Sequence, residues 1–194
     1  MIGPWVKVCG FTRAEDAVAA VEVGVDLLGL NFVSDSLRCI DLDKGRELTK
    51  AIRLAARGRQ SKRPVRTVAV MVNPSENAVR EIIAELDPDI LQFHGEESPE
   101  FCASFEHPFM KAFRLSGPED ARPIPDYLQS PSMGFLIDAW VQGAHGGTGQ
   151  TLSHETARIA LQHPRGFLAG GLTPLNAYDI IRSLHPFGVD VASG

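Results

Sequence analysis

Cysteine is scarce in this 194-residue chain, with only three, at positions 9, 39 and 102, and none at metal-ligand spacing. An odd, scattered set excludes a disulfide framework and fits a reducing compartment. No apolar run approaches the roughly 20 residues that cross a bilayer, so no membrane partner is expected. Met1-Ile2-Gly3-Pro4 runs straight into a strand-like segment, leaving no room for a cleavable leader, and a cytoplasmic location follows as an expectation. An excess of positive charge is also missing. With 19 Lys and Arg against 24 Asp and Glu the net charge is −5, which argues against a nucleic-acid partner. The one basic cluster, between Arg57 and Pro64, is short and has no interleaved aromatics, so it reads as a solvated connector. What remains is an ordinary soluble composition, 44% hydrophobic and 22% charged, enough for a single well-buried domain over residues 1–194.

Strand-like and helix-like stretches alternate along the chain. Strands are expected at 6–9, 27–32, 67–72, 90–94, 110–114, 134–138, 166–169 and 189–193. Helices are expected at about 13–23, 43–56, 76–86, a short one after Ser98-Pro99, about 154–162, and one opened by Thr173-Pro174. Thr12 with Glu15 has the form of a capping box for the first helix, which Gly24 ends. The Pro-rich stretch 118–125 does not read as a helix. Eight strand–helix steps imply a parallel sheet flanked by helices, and that number favours closure into a (β/α)8 barrel over an open sheet. A final helix is not included, and the natural chain is expected to continue past Gly194 to cover the outward valines of strands one and eight.

Alternation along each strand sorts side chains by face. Lys7 and Cys9, Gln92 and His94, Leu136 and Asp138, and Asp190 all fall on the inward face, while Val6, Val8, Val189 and Val191 face out. Closure would make strands one and eight neighbours, so Lys7 and Asp190 can meet as a buried ion pair. A cation two residues before Cys9 would favour its thiolate.

The groups that can do chemistry gather at strand ends. Cys9 closes the first strand ahead of Gly10, although a free cysteine can equally be a small core residue. Asp138 ends the apolar run 134–137, where packing gives no reason for a carboxylate. Capping or loop bracing is its alternative use. His94 can contact a ligand or bond at the barrel rim. Glycine-rich segments follow strands six (His145 to Gln150, with Gly147), seven (Gly170, Gly171) and eight (Ser193, Gly194). The last two positions are where such barrels commonly hold a phosphate on backbone N–H groups, which points to a phosphorylated small molecule. A sugar-phosphate epimerase or aldolase, or a silent ligand-binding barrel, stays open on this ground. Lys111 is poorly placed for an aldolase Schiff base, because it opens strand five.

Taken together, Lys7-Val8-Cys9-Gly10-Phe11-Thr12, Ser36-Leu37-Arg38, Leu91-Gln92-Phe93-His94-Gly95-Glu96-Glu97, Asp138 ahead of Gly146-Gly147-Thr148-Gly149, Ala169-Gly170-Gly171-Leu172-Thr173-Pro174 and Gly188-Val189-Asp190-Val191 resemble the phosphoribosylanthranilate isomerase family. Departures are small: Phe11, Leu37 and Ala192 stand where a smaller aliphatic, Pro and Ser are common. The resemblance implies a cofactor-free Amadori rearrangement in tryptophan biosynthesis. Asp138 would act as the acid and Cys9 as the base, with Arg38 on the anthranilate carboxylate. His94 and Gly147 would lie beside the substrate, and Gly170, Gly171, Ser193 and Gly194 would hold the phosphate. No metal is implied. The partner is a phosphorylated aminosugar substrate, and the assembly a monomer or homodimer.

Overall fold

A computed structural model describes residues 3–129, 131–139 and 154–192. Eight parallel strands close into a barrel in sequence order. They are β1 (Trp5–Cys9), β2 (Leu27–Asn31), β3 (Arg66–Met71), β4 (Ile90–Phe93), β5 (Phe109–Leu115), β6 (Ser132–Ala139), β7 (Gly166–Ala169) and β8 (Gly188–Val191). Between them run α1 (Ala14–Val23), α2 (Leu42–Ala56), α3 (Glu76–Leu86), α4 (Pro99–Ala103), α5 (His154–Ala160) and α6 (Ala177–Leu184). The expected (β/α)8 architecture is the one observed. The Pro-rich stretch after β5 forms two 3-10 turns, Pro118–Ala121 and Ile124–Tyr127, in place of a full helix.

Two helix starts differ from expectation. The N-cap of α1 is Arg13, and no side chain caps it. Thr12 and Glu15 therefore sit one position out of frame for a capping box, whose partners must be the N-cap and the third helical residue. The helix expected from Thr173-Pro174 begins only at Ala177. Asn176 accepts a hydrogen bond from the Thr173 amide at 2.8 Å and donates to the Gly171 carbonyl at 2.8 Å, making a side-chain-closed turn of these residues. By contrast Ser75 and Ser98 cap α3 and α4 through their hydroxyls, and Gly24 closes α1 at φ 107°.

Side chains inside the barrel include Leu27, Val68, Val70, Ile90, Met110, Ala112, Leu136, Phe167 and Ala169. The opposite face of each strand packs on the helices. Val189, with Val6 and Val191 beside it, joins Ile180, Ile181 and Leu184 of α6 there. Closure pairs Lys7 with Asp190 across the β1–β8 seam, and Lys7 Nζ donates to Asp190 Oδ1 at 2.9 Å with its side chain wholly buried. The basic connector is not simply solvated, because Arg59 and Arg63 fold back onto Asp26 at 3.0 and 3.4 Å. Arg63 also lies over the Trp5 ring, 4.7 Å from its centre, closing the amino-terminal end of the barrel. A buried carboxylate needs such partners, which local charge counting along the connector does not reveal.

Candidate active site

At the carboxyl end of the strands lies a cavity of about 360 Å³ lined by Cys9, Gln92, His94, Arg114, Asp138, Gly170, Gly171 and Asp190, among others. Each strand contributes its last inward position, so the barrel turns isolated strand-end residues into one ring. Cys9 stands on β1 and Asp138 on β6, three places apart around that ring. Gly29 on the neighbouring strand makes room for the thiol, since a Cβ there would come within 2.7 Å of Cys9 Sγ. At Gly10, φ is 91° and an added Cβ would run into the Arg38 side chain, so the turn after β1 needs glycine twice over.

His94 and Asp138 face each other, with Nε2 at 3.4 Å from Oδ2, close for a charge pair but outside hydrogen-bond geometry. Gln92 Nε2 stands 3.3 Å from His94 Nδ1. Gln92 Oε1 and His94 Nε2 are buried and lack a hydrogen-bond partner among the described residues, which leaves polar capacity for a bound molecule. Asp138 lies at the end of β6 and lines the cavity.

The thiol shifts the opposite way from the one its neighbour Lys7 suggested. Burial pushes Cys9 above the ordinary thiol range, and Lys7 and Arg38 only partly oppose it, while Asp190 adds to the rise. Desolvation outweighs the cation because the same ammonium is already committed to Asp190. For Lys7 itself burial is the largest single effect and pulls downward. The charges of Asp190 and Cys9 together outweigh it and raise the ammonium above its usual value.

Arg38 approaches from the loop after β2, and its Nη1 donates to the Ala192 carbonyl at 2.6 Å, next to the cavity. Gly170 and Gly171, both at positive φ (81° and 67°), form its lip after β7. Gly147, Ser193 and Gly194 lie outside the described residues. Sequence reasoning named most of this ring but passed over Gly29, Asn31 and Arg114. The last two were findable with the alternation rule already applied to Cys9, since both end an inward-facing series. Lys111 points away from the cavity: it is buried against Glu97 at 3.4 Å and donates to the Gly95 carbonyl at 2.6 Å, so no Schiff-base role falls to it. Among the described residues no group of three or more His, Cys, Asp or Glu side chains could hold a metal ion, and no helix is long and apolar enough to cross a membrane.

A closed parallel barrel with a thiol, a carboxyl and an imidazole converging beside paired glycines at its carboxyl mouth is a (β/α)8 enzyme of the kind that handles small phosphorylated compounds. The family model described as N-(5'-phosphoribosyl)anthranilate (PRA) isomerase matches residues 6–194. An N-(5'-phosphoribosyl)anthranilate isomerase of Stenotrophomonas maltophilia is 40% identical over 191 residues, covering 97% of this chain and 83% of that one. A crystal structure of the Thermotoga maritima phosphoribosylanthranilate isomerase superposes with a TM-score of 0.81 at 29% identity, over 98% of this chain and 88% of the other. Another such isomerase, solved in complex with reduced 1-(o-carboxyphenylamino)-1-deoxyribulose 5-phosphate, gives a TM-score of 0.77 at 27% identity, again over 98% and 88%. The chain belongs to the phosphoribosylanthranilate isomerase family.

Proposed function

We propose that this chain catalyses the Amadori rearrangement of N-(5'-phosphoribosyl)anthranilate to 1-(2-carboxyphenylamino)-1-deoxyribulose 5-phosphate in tryptophan biosynthesis. The observation that carries this reading is the placement of Cys9 and Asp138 in one cavity whose lip is Gly170-Gly171. Asp138 protonates the ribose ring oxygen while the anthranilate nitrogen lone pair expels it from C1′, opening the sugar to a Schiff base. Cys9, whose buried thiol must first give up its own proton, takes the proton from C2′ as the thiolate. The C2′–H electrons form the C1′–C2′ double bond, and the Schiff-base π electrons return to nitrogen, giving an enolamine. Protonation at C1′, with loss of the proton on the C2′ oxygen, then yields the ketose. C2′ is oxidised as C1′ is reduced within one molecule, so the reaction balances without a redox cofactor.

His94, facing Asp138 at 3.4 Å, borders the reacting sugar. Arg38 takes the anthranilate carboxylate by a charge-assisted fork. The amides of Gly170 and Gly171 hold the phosphate, joined by Ser193 and Gly194, and Gly147 contacts the substrate. The chain acts as one domain, in the cytoplasm, as a monomer or homodimer.

The test is turnover of phosphoribosylanthranilate, followed by the loss of its fluorescence. Cys9→Ala and Asp138→Asn should each lower kcat by at least about a hundredfold, the lower range for a positioned acid or base, with KM little changed. Near-normal turnover in either variant removes that residue from its role.

A further inference from the structure

The β5 wall of the cavity carries a cation that the rearrangement, as just described, leaves idle. Met110 and Ala112 point into the barrel, so Arg114, two residues on, faces the same way by strand alternation. Its Cα is in register with that of Asp138, and its exposed side chain lines the same cavity as Asp138, His94 and Gln92. Among the described residues it makes no hydrogen bond or ion pair. The other strand cations are committed. Lys7 is bound to Asp190, Lys111 to Glu97, and Arg66 lies over the Trp5 ring at the far end of the barrel.

The substrate proposed above has two anionic groups, a phosphate at one end and a ring carboxylate at the other. Around the barrel β6, with Asp138, stands between β7, whose following glycines take the phosphate, and β5, so Arg114 faces the cavity from beyond the acid that meets the sugar ring. Arg38 already gives one N–H to the Ala192 carbonyl at the end of β8. A carboxylate has two oxygens and room for more than one donor. The geometry points to Arg114 as a specificity-determining residue that grips the anthranilate carboxylate from the β5 wall, alongside Arg38. This rests on the isomerase reading of the site. A guanidinium offers the planar fork that a carboxylate fits, which a lysine in the same place would not reproduce.

The experiment compares two substrates, phosphoribosylanthranilate and its N-(5'-phosphoribosyl)aniline counterpart, which lacks the carboxylate. Product is followed chromatographically in the wild type, Arg114→Ala and Arg114→Lys. Arg114→Ala should lose about tenfold to a hundredfold in kcat/KM on the anthranilate substrate, mostly through KM, as expected for one charge-assisted contact. On the aniline substrate it should match the wild type, and Arg114→Lys should recover only part of the loss. Equal losses on both substrates, or none on either, would overturn the assignment while leaving the isomerase reading intact. A wild type that turns over neither substrate would instead sink the isomerase reading, and the role of Arg114 with it. Calorimetric binding of the reduced product analogue, with and without its carboxyl group, should show the same contrast without relying on turnover.

Discussion

Replacing Lys7 by Met tests whether the seam between β1 and β8 is held by an ion pair as well as by backbone ladders. The ammonium is wholly buried and donates to Asp190 at 2.9 Å. Its loss strands a carboxylate that is itself only 8% exposed. Removing one partner of such a pair costs about 3–5 kcal/mol. That is a large part of the roughly 5–15 kcal/mol that keeps a domain folded. For a chain of this size each kcal/mol moves Tm by about 2–4 °C, so Lys7→Met should melt about 6–20 °C below the wild type. The double variant Lys7→Met/Asp190→Leu should recover most of the loss, because an apolar pair avoids the desolvation penalty altogether.

The pH dependence has a defined sign. The ammonium's value is raised in the folded protein, so the stability it contributes is complete below the unfolded value of about 10.4 and is lost as pH rises through the folded one. Urea unfolding from pH 6 to 11 should therefore show a constant gap between wild type and Lys7→Met up to about pH 10, closing above it. A single variant within about 1 kcal/mol of wild type, or a double variant no better than Lys7→Met, would refute the reasoning.

Further expectations concern the cavity. Arg38→Ala should raise KM for phosphoribosylanthranilate by about tenfold or more with a smaller change in kcat, and an unchanged KM would count against its contact with the carboxylate. Gly29→Ala puts a methyl group against Cys9 Sγ, so it should cost about 1–3 kcal/mol in urea unfolding and depress kcat as well; activity and stability equal to wild type would show that the strand yields freely. Alkylation of Cys9 by iodoacetamide, followed on its peptide by mass spectrometry, should have a midpoint above the ordinary thiol value of about 8.5, since burial raises it. In Lys7→Met that midpoint should move higher still. A wild-type midpoint at or below the ordinary value would show that Lys7, not burial, governs the thiol.

What the chain order alone determined is local and periodic. The strands of 166–169 and the helix of 76–86 were legible to the residue, because an apolar run between turn residues and a serine-capped amphipathic stretch need no distant partner to define them. Alternation then placed Cys9, Gln92, Asp138 and Asp190 on one face, and eight repeats implied closure. Helix starts were less legible where a frame one residue off, at Arg13, or a competing side-chain bond, at Asn176, decided the outcome. Everything that depends on distance through space was left to the tertiary structure. Lys7 and Asp190 are 183 positions apart and meet only because the last strand closes on the first. The same closure buries Cys9 and commits the nearby ammonium to Asp190, so the thiol rises where a count of neighbouring charges predicted a fall. Arg38 reaches the carbonyl of Ala192 across that seam, and Arg114 is left facing the cavity with no ion pair of its own among the described residues. Periodicity sets which way a side chain points, but only the closed barrel sets what it points at, how much water remains around it, and therefore which way its titration shifts.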